Sequence, residues 1–218
     1  MLRAENIVKR YGNLVVLKSI NLIVEQGKIV SIVGASGAGK STLLHILGTL
    51  DKPDRGKVFL DDRELTNLKG GQLAEYRNRY VGFIFQFHNL LPEFTALENV
   101  CIPAYLANHA SDKDVTMRAT ELLERLGLRD RLHHKPSEMS GGEQQRTAVA
   151  RALMNNPSVV FADEPSGNLD SRNAEELHNL FFRLRDELNQ TFVIVTHNEE
   201  LANMADQKVE IKDGMIVE

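Results

Sequence analysis

The chain has 218 residues, of which 42% are hydrophobic and 26% charged, with 26 Lys and Arg against 30 Asp and Glu and a net charge of −4. A chain of this length and composition buries a core without disulfides or metals, which excludes a wholly disordered protein. A charge balance so close to zero excludes the basic domain of a dedicated nucleic-acid binder, so no nucleic-acid partner is expected. The single cysteine, Cys101, has no partner in the chain and is expected to be a small buried hydrophobe in a reducing cytoplasm. No apolar run reaches the eighteen or so residues of a membrane-spanning helix. The opening MLRAENIVKRYG carries charges where a secretory signal would have its apolar core, so no such signal is expected.

Taken in chain order, the first sixty residues are short and strand-like. Ile20–Val24 and Lys28–Val33 flank a turn at Glu25-Gln26-Gly27, and Lys57–Leu60 precedes a turn at Asp61-Asp62. Short strands joined by turns predict antiparallel β structure. Val81–Phe85, Ser158–Ala162 and Thr191–Val195 are compact apolar runs that suit strands covered on both faces. Val115–Leu126 is predicted to be a helix, with Met117, Leu122, Leu123 and Leu126 on its apolar face and Gly127 as its stop. Ser171–Leu188 is a second helix, with Leu177, Leu180, Phe181 and Leu184 at helical spacing, and Lys208–Val217 reads as a hairpin turning at Asp213-Gly214. No linker or internal repeat divides the chain, so 1–218 is expected to form one domain of α/β class, with an antiparallel β portion near its start and a helical insertion in the middle.

After the strand ending at Val33 comes GASGAGKST, comprising Gly34, Ala35, Ser36, Gly37, Ala38, Gly39, Lys40, Ser41 and Thr42. It fits G-x-x-x-x-G-K-[ST] between a predicted strand and a predicted helix, the context a P-loop requires. The glycines let backbone N–H groups converge on one phosphate, and the helix N-terminus adds its positive dipole end. Lys40 is expected to reach the β- and γ-phosphates, Ser41 to ligate Mg²⁺, and Thr42 to make a second phosphate contact. The run Ser158–Ala162 ends in Asp163-Glu164. Asp163 is expected to hold Mg²⁺, and Glu164 to orient or deprotonate an attacking water.

A hundred residues after the P-loop, Ser140, Gly141, Gly142 and Glu143 open a run rich in Ala148, Ala150 and Ala152. This is a second anion-binding helix start, without a lysine. Here the chain resembles the ABC ATPases, whose signature motif SGGEQ matches with Met139 and Glu143 at its variable ends. The resemblance spans essentially the whole chain. It implies a P-loop NTPase with a RecA-like parallel-sheet core, an N-terminal antiparallel β subdomain, and an inserted helical subdomain over roughly 88–156. It further implies that Gln86 is the Q-loop glutamine, near Mg²⁺ and the water, that Asp170 in SGNLD is the D-loop aspartate, and that His197 is the switch histidine at the γ-phosphate. Tyr11 is then the candidate aromatic for adenine, and Asp170 could also cap the helix that follows it. The remaining histidines, His133 and His134 among them, show no ligand constellation and are expected in loops or at the surface.

The resemblance implies ATP and Mg²⁺ as ligands, and two chains sandwiching two ATP molecules so that the P-loop of one faces the signature of the other. One chain carries one of each motif, which suits an isologous, ATP-dependent homodimer. It implies integral membrane subunits as partners, docking near Phe87–Val100, with the motor held peripherally at the cytoplasmic face of a bacterial inner membrane. In that segment Phe87, Leu90, Leu91 and Phe94, broken by Pro92, read either as core or as an apolar groove for a partner helix. QFHNLLPEFTALENV, LLHILGTLD and EPSGNLD resemble the branch of the family that releases lipoproteins from that membrane, with Ser166 in place of the usual Thr. The same branch includes MacB-type export ATPases and FtsE-like regulators of cell division and the cell wall.

Overall fold

The computed structural model describes residues 1–107 and 110–217. Strands β1 (Leu2–Tyr11) and β2 (Leu14–Val24) form an antiparallel hairpin, and β4 (Arg55–Leu60) pairs antiparallel with β1 and with β5 (Arg63–Glu64). Together they make a four-stranded sheet in the order β2-β1-β4-β5. The antiparallel character is as predicted, but β2 begins six residues before Ile20. Its outer half alternates exposed and buried residues too irregularly to stand out by periodicity alone.

The second sheet has six strands in the order β10-β9-β3-β8-β7-β6. They are β3 (Ile29–Val33), β6 (Val81–Phe85), β7 (Val159–Asp163), β8 (Thr191–Val195), β9 (Gln207–Lys212) and β10 (Met215–Val217). Only the β9–β10 hairpin is antiparallel; β3, β6, β7, β8 and β9 pair in parallel. Both faces are covered, which explains the continuous apolar runs. Val159, Phe161, Val193 and Val195 pack toward α1 (Lys40–Leu47) and the first sheet. Val160, Ala162, Phe192 and Ile194 pack on the opposite face, with α6 (Ser171–Leu188) and the helices between β6 and β7.

Those helices are α3 (Ala96–Ala107), α4 (Asp112–Arg125) and α5 (Gly141–Leu153). In α4 the buried face is Val115, Ala119, Leu122 and Leu123, continued by Leu126. Met117 was expected on that face but points outward, 54% exposed. Val115 and Ala119, at i and i+4, hold the first turn of the stripe and leave Met117 about a third of a turn past its nearer edge, almost opposite the stripe's centre. Ala96–Val100, to which the sequence reading gave no element, begins α3. Thr95 and Glu98 form a reciprocal cap: Glu98 Oε2 accepts from Thr95 N at 2.7 Å, and Thr95 Oγ1 accepts from Glu98 N at 3.3 Å. Helices α2 (Gly70–Tyr80) and α7 (Glu199–Met204) have no counterpart in the sequence reading, being short or polar. Cys101 is buried in α3, and its burial pushes the thiol pKa up. Of the histidines expected in loops or at the surface, His133 and His134 lie in a turn, whereas His178 is buried within α6 and paired with Ser166 Oγ at 3.0 Å. His45 lies on α1, and His109 falls outside the described residues.

Candidate functional site

Four neighbouring parallel strands end at the same level. Ile32 of β3 is level with Val195 of β8, Val195 with Asp163 of β7, and Asp163 with Phe85 of β6. Their next residues therefore line one edge of the sheet: Gly34 opens the P-loop, His197 follows β8, Glu164 follows β7, and Gln86 follows β6. The carboxyl ends of parallel strands are where this class of sheet holds ligands.

The loop over the end of β3 is built around backbone that a side chain would obstruct. Gly34 has φ 143°, and a Cβ there would strike the Ile211 carbonyl oxygen. Gly39 has φ 105° and sits against Leu17, whose Cδ2 would be 2.8 Å from a Cβ. No side chain caps α1, so the first N–H groups of that helix are left for an anion. Lys40 is buried and folds over the loop, donating to the carbonyls of Gly34 and Ala35 at 3.0 Å each. Ser36 and Gly37 are exposed on the rim beside Ala35 and Ala38. Thr42 lies one residue further into α1.

The Ser41 hydroxyl donates to Asp163 Oδ1 at 3.0 Å, placing a hydroxyl and a carboxylate side by side. Hard oxygen ligands of this kind suit Mg²⁺, which binds few protein groups and keeps phosphate oxygens and water for the rest of its shell. Among the described residues no cluster of three or more His, Cys, Asp or Glu is arranged to hold a metal alone. The pair fits an ion that arrives with phosphate.

Glu164 occupies a strained turn, φ 46°, fixed by its N–H donating to Val195 O at 2.9 Å and by its carbonyl accepting from Gly167 N at 3.0 Å. Its Oε2 accepts from the His197 backbone N–H at 3.1 Å. Its Oε1 is buried 3.2 Å from His197 Nε2, but the pair is not aligned as a hydrogen bond, so that oxygen has no partner. Burial raises the Glu164 pKa and the neighbouring Asp163 charge adds to the rise, against the lowering effects of His197 and Lys40. A raised carboxyl with one free oxygen is what a base toward water requires. Gln86 does not meet Asp163 or Ser41. Its Nε2 donates to Asn168 Oδ1 at 3.2 Å, and Asn168 Nδ2 returns a bond to Gln86 O at 3.1 Å.

Tyr11 is 52% exposed, with its hydroxyl donating to Asp51 Oδ2 at 2.8 Å and the Lys9 ammonium 5.1 Å from the ring centre. One edge of the ring is tethered while much of it stays open for stacking. At the start of α5, Ser140 Oγ accepts from Glu143 N at 3.3 Å and Glu143 Oε2 accepts from Ser140 N at 2.8 Å. Glu143 Oε1 takes the Arg131 guanidinium at 2.8 Å, so both carboxylate oxygens serve the chain's own cap. Gly141 and Ser140 are exposed; Gly142 is buried against Asn173. Asn173 N donates to Asp170 Oδ1 at 2.9 Å, which makes Asp170 the cap of α6 and links the two helix starts. Among the described residues no hydrogen bond joins Ser140–Gly142 to the P-loop, and the two glycine-led helix starts remain separate within one chain.

Phe87, Leu91 and Phe94 are exposed, Phe87 by 75%, which decides against core for these three; Leu90 is half-buried. Sequence reasoning did not single out Asp51, Asn168, Asn173 or Gln145. The first three are polar loop or helix-start residues with no spacing signal. Gln145 sits inside the apolar face of α5, which was a signal: a polar residue there must have partners.

The ABC transporter family model matches residues 17–167. Over 217 residues the chain is 59% identical to the "Lipoprotein-releasing system ATP-binding protein LolD" of Cytophaga hutchinsonii, covering 100% of this chain and 99% of the relative. The protein of the same name in Bacteroides fragilis is 56% identical, with 100% of each chain covered. Among solved structures, the dimeric bacterial ABC transporter cassette MJ0796 superposes with a TM-score of 0.91 at 40% identity, over 100% of this chain and 97% of that one. A post-hydrolysis dimer of that cassette, bound to ADP and Pi, gives 0.90 at 39% identity over the same shares.

Proposed function

Because the chain belongs to the ABC transporter family and is an ATPase of that family, we propose that it is the motor subunit of a bacterial complex that releases lipoproteins from the inner membrane toward the outer membrane. The observation that carries the cargo assignment is end-to-end identity of 56–59% with relatives bearing that name. In this reading the chain acts as an ATP-dependent homodimer at the cytoplasmic face, with separately encoded integral subunits of the LolC/LolE kind docking near Phe87–Val100, on the exposed Phe87, Leu91 and Phe94. Among the described residues no helix is long and apolar enough to cross a membrane, which suits a subunit held there by partners.

The residues then divide the chemistry. The backbone N–H groups of Gly34–Gly39 and the start of α1 cradle the phosphates, and Lys40 turns from its two carbonyls to the β- and γ-oxygens. Ser41 and Asp163 would hold Mg²⁺, with Gln86 a further oxygen donor toward it, and the ion would neutralise charge on the transferred phosphoryl group. Glu164 takes the proton of the attacking water, while His197 holds Glu164 through its backbone N–H and faces the γ-phosphate. Tyr11 stacks on adenine. Ser140, Gly141 and Gly142 of the second chain close over the γ-phosphate, and Asp170 lines the dimer seam. Loss of the γ-phosphate removes the bridge between chains, and the dimer parts.

The test is capture of the loaded complex. The Glu164→Gln variant, tagged in its host and solubilised mildly with ATP and Mg²⁺, is expected to co-purify integral subunits with large periplasmic domains and bound lipoproteins. Division proteins in their place, or no membrane partner, would overturn the assignment of cargo.

A further inference from the structure

Gln145 is fully buried in the second turn of α5, yet both ends of its amide are engaged across elements. Its Nε2 donates to the carbonyl of Pro165 at 2.7 Å. Pro165 directly follows Glu164, the residue held at φ 46°. Its Oε1 meets His88 Nδ1 in the segment after β6. The Pro165 carbonyl can only accept, so the amide must present its NH₂ there and its oxygen to His88. His88 must therefore carry a proton on Nδ1 to complete the contact. The His88 backbone, at φ 60°, is held separately: the Arg151 guanidinium donates to His88 O at 2.7 Å and to Asn89 O at 2.6 Å.

We propose that Gln145 is a positioning residue for ATP hydrolysis: through Pro165 it holds the turn that aims Glu164, and through His88 it ties that turn to the segment carrying Phe87. The proposal rests on the reading of Glu164 as the base. Anchoring Pro165 limits how the Glu164 turn can relax, and His88 fixes the amide that does the anchoring. Movement of the His88 segment then alters the aim of Glu164 without touching the phosphate cradle.

The test compares steady-state MgATP hydrolysis by Gln145→Leu, Gln145→Glu, His88→Asn, His88→Leu and Glu164→Gln in the full chain. Leu has nearly the volume of Gln and no polar atoms. Glu keeps the acceptor toward His88 but replaces the donor toward Pro165. Asn places an N–H close to where His88 Nδ1 sits and tolerates the positive φ. The expected result is a tenfold or greater fall in kcat for Gln145→Leu, Gln145→Glu and His88→Leu, with KM for MgATP within twofold. His88→Asn should restore kcat to within about threefold of the parent. A ¹⁵N spectrum should show the His88 proton on Nδ1. Parent-like kcat in both Gln145 variants alongside a dead Glu164→Gln would overturn this proposal and leave the base reading standing. Parent-like turnover by Glu164→Gln would overturn the base reading first. A fall in kcat accompanied by an equal loss of MgATP affinity, or failure of Asn to rescue His88, would mark the contact as ordinary packing and overturn the proposal. If Gln145→Leu does not fold, the His88 pair and the nitrogen spectrum decide alone.

Discussion

At the scale of single residues, the proposed role of Glu164 as base carries a stability cost. Its carboxyl pKa is raised in the folded chain, chiefly by burial. A group whose folded pKa exceeds its unfolded one opposes folding once pH rises through that window, because the unfolded chain ionises it more easily. Glu164→Gln removes that cost at neutral pH, so its Tm at pH 7 is expected to equal or exceed the parent's. Its ATP turnover should drop about 10²–10⁴-fold, the usual worth of a general base. A lower Tm, or unchanged turnover, would contradict the role given to this side chain. For the parent, the rising limb of kcat with pH should lie above the ordinary carboxylate range, since only the ionised form accepts a proton. Lys40 poses a separate case, being buried with its ammonium on two carbonyls. Lys40→Ala should lose most nucleotide affinity by calorimetry; unchanged binding would refute the phosphate cradle.

At the scale of elements, the two glycine-led helix starts differ in what occupies them. Helix α1 has no side-chain cap, whereas α5 begins with the reciprocal Ser140–Glu143 cap, braced by Arg131. The α5 start can therefore form and stay ordered without nucleotide. Ser140→Asp keeps a good N-cap, so stability should change by less than about 1 kcal/mol. The added carboxylate would face the partner's γ-phosphate. Nucleotide binding by the monomer should survive while ATP-dependent dimerisation fails, measured by light scattering with the Glu164→Gln background. Dimerisation at parental levels would place α5 away from the phosphate. The link Gly142–Asn173–Asp170 suggests why this start is coupled to α6: a Cβ on Gly142 would displace Asn173, and with it the Asp170 cap.

At the scale of the whole molecule, one edge of the six-stranded sheet gathers the residues proposed for the chemistry, and the region between β6 and β7 holds both the Ser140–Glu143 helix start and the exposed Phe87–Phe94 segment. Phe87 and Leu91 contribute little to the core, being exposed by 75% and 45%. Phe87→Ser with Leu91→Ser should leave Tm and basal ATP hydrolysis near parental values while abolishing co-purification of membrane subunits. Retained partners would move the docking surface elsewhere.

The phosphate loop, the acidic pair after β7 and the signature were legible in the sequence because each depends on residue type at fixed local spacing. Gly34, Gly39, Lys40, Asp163 and Glu164 need only their own strand and the next turn to declare themselves. The parallel core strands were legible for a similar reason, since burial on both faces makes them continuously apolar. The face of α4 was misjudged at Met117, which is five residues before Leu122 and so falls on the far side from the stripe that Val115 and Ala119 begin. The helix at Ala96 announced itself only through the Thr95–Glu98 cap. The alignment of four strand ends, the seating of Gly142 against Asn173, and the bridge from Pro165 through Gln145 to His88 join residues distant in the chain. No local pattern encodes such pairs. They were decided by tertiary structure, where burying a polar amide in an apolar helix face obliges it to find partners on whatever elements the fold brings alongside.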